Sequence, residues 1–91
     1  MKKNIVIIGA GALAKMVLES ILLVNKYNII GFCADNLVIG EKIFDDYTII
    51  SDANLSNLNA DKSLYFIVAI GDNDARSLFF ENALNIYQSL Y

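Results

Sequence analysis

The sequence predicts an α/β fold, an open and mostly parallel β-sheet with helices on both faces. Three observations predict it. Ile5–Ile8 is an unbroken β-branched run that stops at a glycine turn, Gly9-Ala10-Gly11. A helical pattern follows at once, and strand-like and helix-like stretches then alternate to the end of the chain. Alternation of this kind, with strands apolar along their whole length, belongs to parallel sheets covered on both faces.

The first strand is Ile5–Ile8, and its lack of polar alternation marks it as buried on both sides. The first helix is expected from about Ala12 to Asn25. Its apolar positions cover most of its circumference, and Lys15, Glu19 and Lys26 mark the wet stripe. Lys15 and Glu19 form an i,i+4 pair, which reads Lys15 as a solvated helix residue. Tyr27-Asn28 closes that helix, and Ile29–Ala34 is the second strand, ending at Asp35-Asn36. Leu37–Asp46 reads as an irregular surface connection. Tyr47–Ile50 is a short third strand, and Ser51–Asn54 reads as a helix start continuing one or two turns through Leu55 and Leu58. Leu64–Ile70 is the strongest strand pattern and ends at Gly71-Asp72-Asn73. Asn73 or Asp74 can cap a last helix running to about Ser89. That helix carries two stripes, Phe79/Ala83/Ile86/Leu90 and Phe80/Leu84/Tyr87/Tyr91. They read either as one wide core face or as a core face beside a contact with another subunit or domain.

Bulk properties bound the function. At 91 residues the chain is long enough for one domain, spanning 1–91. Net charge is −3 and the pI is about 4.6, and there is one arginine, so nucleic acid and anionic membranes are not the expected partners. No apolar run reaches the ~18 residues a membrane span needs. Cys33 is the sole cysteine, which excludes an internal disulfide and fits a reducing, cytoplasmic setting. With no histidine, the chain can supply neither a histidine base nor a histidine-ligated metal. No catalytic residue, no metal site and no cofactor of its own are therefore expected. Cys33 reads as a small buried hydrophobe.

The candidate site comes from the strand ends. Gly9, Gly11 and Ala14 match G-x-G-x-x-A. In such a turn the first glycine permits a tight reversal, the second lets a phosphate approach the backbone, and the alanine lets the helix pack on the strand. The N–H groups at the helix start form an anion site. Asp35 follows Gly11 at close to the ~20-residue spacing at which dinucleotide folds place a ribose-binding carboxylate. Alternatively, Asp35-Asn36 is a turn that closes a strand. With Gly71-Asp72-Asn73, three strand ends converge on polar or glycine residues, where ligands gather in open α/β sheets.

Together, Lys3–Gly11, Ala14-Lys15, Gly31-Phe32, Asp35-Asn36 and Ile67-Val68-Ala69-Ile70-Gly71-Asp72-Asn73 with Arg76 resemble the amino-terminal domain of the PglD/NeuD-type sugar acetyltransferases. The last segment is the specific part. The resemblance implies a small Rossmann-like domain that binds a UDP-linked amino sugar or a related activated sugar. It implies a left-handed β-helix domain elsewhere that trimerises, binds acetyl-CoA and supplies the base. This chain would then hold substrate without being catalytic alone, and its C-terminal helix would self-associate or dock to the β-helix domain. Carried over, Gly9, Gly11, Ala12 and Leu13 line the sugar diphosphate, Asp35 and Asn36 the nucleoside, and Gly71, Asp72 and Asn73 the third wall. Arg76 would position Asp72 or a phosphate. The chain departs from the family's G-A-G-G-H-A-K pattern at Ala12 and at Leu13, which replaces a histidine. Two other readings stand beside this one: a compact NAD(P)-binding module, and a ligand-free oligomerisation domain.

Overall fold

A computed structural model describes residues 2–58, 63–84 and 88–89. The elements run β1 (Lys3–Ile8), α1 (Ala12–Val24), β2 (Tyr27–Cys33), β3 (Lys42–Ile43), β4 (Tyr47–Ser51), β5 (Tyr65–Val68), α2 (Asn73–Leu84) and β6 (Gln88–Ser89). They build one sheet in the order β3-β4-β2-β1-β5-β6. β1 pairs in parallel with β2 and β5, β2 with β4, and β5 with β6. Only the β3–β4 pair is antiparallel. The chain therefore starts in the middle of the sheet and winds outward both ways, as an open α/β sheet does.

The pleat of β1 divides the core. Ile5 and Ile7 point to one face, where Ala14, Leu18 and Ile21 of α1 close over them with Phe32, Ile49 and Ile67. Val6 and Ile8 point to the other, packing with Cys33, Phe66 and Ala83. All four of these β1 side chains are fully buried, as a strand with no polar face requires. Phe79 and Phe80 lean on that second cluster from α2, and the Phe80 ring lies 5.6 Å from Phe66. On the first face, Phe32 meets Phe44 and Tyr47 edge-on at 5.2 and 5.8 Å.

Several elements differ from the sequence reading. α1 ends at Val24 because Asn25 takes the left-handed conformation (φ 54°) and donates its N–H to Ile21 O at 3.2 Å. An asparagine thus does what a C-terminal glycine usually does, and Tyr27-Asn28 opens β2 instead of closing the helix. Part of Leu37–Asp46 is not irregular: Lys42–Ile43 forms β3 against β4.

The segment after β4 is a set of turns, not a helix start. Leu55 sits at φ 64°, which no right-handed helix permits. Side chains claim the backbone donors there. Asp35 Oδ1 accepts from Ala53 N (3.0 Å), Asp52 Oδ1 from Ser56 N (3.0 Å) and Ser51 Oγ from Asn57 N (3.2 Å). Leu55 and Ala53 are buried in the second cluster, so the turn serves as that face's cover.

The last helix stops at Leu84, and Gln88–Ser89 pairs as a strand with Tyr65–Phe66. The helical stripes expected to run on are thereby cut short. Phe80 is half-buried and packs against the second cluster, and the stripe positions Ile86, Tyr87, Leu90 and Tyr91 lie outside the described residues. No helix among the described residues is long and apolar enough to cross a membrane.

Candidate functional site

The carboxyl edge of the sheet is held together by backbone bonds between neighbouring strand ends. Gly9 N donates to Cys33 O (2.8 Å), Ala69 N to Ile8 O (2.7 Å) and Ala34 N to Ser51 O (3.0 Å). These bonds bring the turn after β1 between the ends of β2 and β5. Gly9 and Gly11 thus sit beside Asp35-Asn36 on one side and Gly71-Asp72-Asn73 on the other. The end of β4 joins the same edge through Ala53 N on Asp35, a fourth contributor that the sequence reading did not include. Its signal was present in Ser51-Asp52, two residues that favour backbone-bonded turns as readily as helix starts.

The two glycines of the turn are there for different reasons. Gly9 has φ +128°, and a Cβ on it would lie 2.4 Å from Ala69 O. The fold itself demands a glycine at that point. A Cβ on Gly11 would meet nothing within 4 Å, and its backbone is extended (φ −92°, ψ −158°). No protein atom requires glycine there, so the space is left to solvent or a ligand. Ala14 is fully buried in the α1 face of the core, which is the close helix–strand contact that the small residue permits.

α1 begins at Ala12 with Gly11 as N-cap, and no side chain caps it. The first intrahelical donor to find a partner is Lys15, whose N–H reaches Gly11 O at 3.1 Å. The N–H groups before it are the ones a helix start leaves without intrahelical acceptors. The first turn also contains no acidic residue, so no carboxylate of the helix's own start offsets the positive end of its dipole. Ala12 and Leu13 are both exposed beside it.

The polar residues of the neighbouring ends are partly committed. Asp35 is exposed, and its Oδ1 accepts from Ala53 N. Asn36 is exposed at φ 66°. Asp72 Oδ1 accepts from Ala75 N at 2.8 Å and so caps α2, and Asp74 adds an acid to the first turn. The Arg76 guanidinium donates to Asn73 Oδ1, not to Asp72, whose carbonyl instead accepts the Arg76 backbone N–H. Arg76 therefore orients Asn73, in place of the expected role on Asp72.

Three hollows lie away from the helix start: one of about 340 Å³ between β5 and α2, lined by Phe66, Val68, Arg76, Phe80 and Glu81, one of about 390 Å³ along α1, and one of about 470 Å³ around Lys2, Lys3, Asn25, Lys26 and Tyr27. Two titratable groups near the strand ends are displaced from their ordinary values. Burial, and secondarily the charge of Asp52, pushes the Cys33 thiol up to about 12, so it is neither a nucleophile nor a redox group at neutral pH. The backbone N–H of Ser56 holds the Asp52 carboxyl below its usual value. Among the described residues, no group of three or more histidine, cysteine, aspartate or glutamate side chains could hold a metal ion.

The chain is similar in structure to the acetyltransferase domain of PglB from Neisseria gonorrhoeae FA1090, solved in complex with acetyl coenzyme A. The two share 26% sequence identity with a TM-score of 0.74, over 94% of this chain. This chain spans only 40% of the length of that one. No curated protein matches it. The family described as the PglD N-terminal domain matches residues 4–83, from the start of β1 nearly to the end of α2, and the chain belongs to that family.

Proposed function

We propose that this domain holds the activated-sugar acceptor of an acetyltransferase, a UDP-linked amino sugar or a related nucleotide sugar, at the carboxyl edge of its sheet. The observation that carries this reading is the start of α1. An uncapped helix terminus with no acid in its first turn stands behind a glycine that no protein atom needs. That arrangement favours a diphosphate on the N–H groups of Gly11, Ala12 and Leu13. The exposed carboxylate of Asp35 is suited to accept from a ribose hydroxyl, with Asn36 beside it. Gly71, Asp72 and Asn73 form the opposite wall.

The domain's contribution is to position and not to activate. Fixing an acceptor next to a catalytic group can supply several kcal/mol of a barrier without any proton transfer. The chain contains no histidine to serve as a base, and the buried thiol is protonated. Acetyl-CoA and the base would belong to another part of a longer acetyltransferase, as the acetyl-CoA complex of the PglB domain suggests. The acceptor's own amine or hydroxyl would then project from the sheet edge.

Calorimetric titration tests the reading, with UDP, UDP-N-acetylglucosamine and NADH as the three ligands. The expected result is binding of both uridine nucleotides and none of NADH. A ligand at about 100 times its Kd stabilises the fold by about 2.7 kcal/mol, so a thermal shift of several degrees should accompany binding. Binding of NADH with no response to either uridine nucleotide would overturn the proposal in favour of a dinucleotide module.

A further inference from the structure

We propose that Ser51 is a positioning residue for the Asp35 carboxylate, acting through the turn it anchors, and that the preference of the site for a ribonucleotide over its 2′-deoxy counterpart depends on it. The inference rests on the reading of this edge as a nucleotide site in which Asp35 accepts from a ribose hydroxyl. Among the described residues, Ser51 is the sole buried residue with a polar side chain, at 0% exposure. A hydroxyl taken out of water costs stability unless it is bonded, and the bonds of Ser51 run in two directions. Its backbone carbonyl accepts from the N–H of Ala34, the residue before Asp35, at 3.0 Å. Its Oγ accepts from Asn57 N at 3.2 Å and lies 3.4 Å from both Asp52 Oδ1 and Asn57 Oδ1, either of which can take its proton. One residue thus ties the end of β2 to the turn after β4.

The bond between Asp35 and Ala53 holds the carboxylate more than it holds the turn. The turn is secured without it. Asp52 Oδ1 accepts from Ser56 N at 3.0 Å, and Leu55 N and Leu58 N donate to Asp52 O and Leu55 O at 3.1 and 3.2 Å. Ala53 and Leu55 are also buried in the second cluster. Asp35, in contrast, is exposed, and the next residue, Asn36, is in the left-handed conformation. An exposed aspartate has several staggered positions open to it unless something holds it. The Ala53 N–H, 3.0 Å from Oδ1, supplies that restraint from a fixed support. An ionised carboxylate can accept from more than one donor, so this bond does not exhaust it. An acceptor already in place avoids the ordering cost that a loose one incurs on binding.

What a fixed acceptor at this strand end reads is a hydroxyl. In dinucleotide folds the acid here bonds the ribose 2′-OH. A 2′-deoxy ligand keeps the base and the diphosphate and lacks that one donor. A hydrogen bond to a charged group is worth about tenfold or more in affinity. The diphosphate contacts lie at the start of α1, so loosening the β4 turn should act on the ribose preference and not on them.

Calorimetric titration with UDP and 2′-deoxy-UDP tests this on the wild type, Ser51→Ala and Asp35→Glu. The wild type should bind UDP at least about tenfold more tightly than 2′-deoxy-UDP. Ser51→Ala removes the acceptor of Asn57 N and should bring that ratio below about threefold. Asp35→Glu keeps the charge on an exposed residue but carries the carboxylate one methylene away from the Ala53 N–H. It should lower the ratio in the same way, with little change in melting temperature. A merely structural role for Ser51 would weaken both nucleotides alike and leave the ratio at its wild-type value, which overturns the inference. So does a ratio that Asp35→Glu leaves unchanged, and that variant decides the matter if Ser51→Ala does not fold. A wild type that binds the two nucleotides equally overturns this inference alone. A wild type that binds neither overturns it together with the nucleotide reading.

Discussion

Two helices begin at the same sheet edge and are finished in opposite ways. At α2 the chain supplies its own cap, with Asp72 Oδ1 on Ala75 N at 2.8 Å and Asp74 in the first turn. Both acids sit at the positive end of that helix dipole, and the N–H of Ala75 is taken by the Asp72 side chain. At α1 there is no side-chain cap and no acid in the first turn, and the residue before the helix is an unobstructed glycine. A capping residue is worth about 1 kcal/mol to a domain, and the chain does without it at one start only. The difference separates a terminus capped by its own chain from one that is not, and the second is the one the proposed function assigns to a phosphate.

The largest expected effect tests the scaffold beneath this comparison. Gly9→Ala puts a Cβ 2.4 Å from Ala69 O at a φ of +128°. The β1 and β5 ends must then separate or the turn must strain, at a cost of about 3 kcal/mol. Urea denaturation should show the loss at unchanged m-value. A cost below about 1 kcal/mol would mean that the β1–β5 register is not what fixes the turn.

Next comes the substitution that makes the first helix start resemble the second. Gly11→Asp places a capping carboxylate where the backbone is extended and the space is open. It should stabilise the fold by about 0.5–1 kcal/mol through the cap and the dipole. The same charge should lower the affinity for UDP at least tenfold, about 1.4 kcal/mol. Opposite signs in the two measurements are the signature of a site kept open at the expense of stability. Loss of stability together with loss of binding would instead mark Gly11 as structural. The converse change, Asp72→Ala, should cost about 1 kcal/mol by thermal melting and lower UDP affinity less than Gly11→Asp does.

Which parts of this comparison the sequence could reveal follows from how local their causes are. The β1–turn–α1 unit was legible because an apolar run, a glycine turn and a helical pattern follow one another in adjacent residues, although the contact that demands Gly9, with Ala69 O, comes from a distant part of the chain. The family pattern at Ile67–Arg76 marked the other start for the same reason. The turns after β4 were not legible, since Ser51-Asp52 is a sound helix start until Asp35, from another strand end, takes the N–H of Ala53. Nor was the end of α2, where pairing of Gln88–Ser89 with β5 overrides a helical pattern that is locally adequate. The apolar positions of α1 were read as covering most of its circumference, and of these only Ala14, Leu18 and Ile21 are buried.

The smallest effect concerns the carboxylate that shapes the fourth strand end. The backbone N–H of Ser56 holds the Asp52 carboxyl below the ~3.9 of an unfolded chain. Because the folded value is the lower one, its contribution is fully present above the unfolded value. It is lost as pH falls through the folded value. Asp52→Asn keeps an oxygen acceptor for the Ser56 N–H and removes the charge, so the turn geometry should survive. The urea midpoint of the variant should sit slightly below wild type at pH 7, and the gap should narrow as the pH is lowered past 3.9 toward 2.5. The carboxylate is largely solvated, so salt should also shrink the gap at neutral pH. Midpoints that fall in parallel for the two proteins would mean that the turn is held by the hydrogen bond alone, with the charge contributing nothing. In that case Asp52 would join Asp72 as a cap, and α1 would remain the one start at this edge with no acid committed to it.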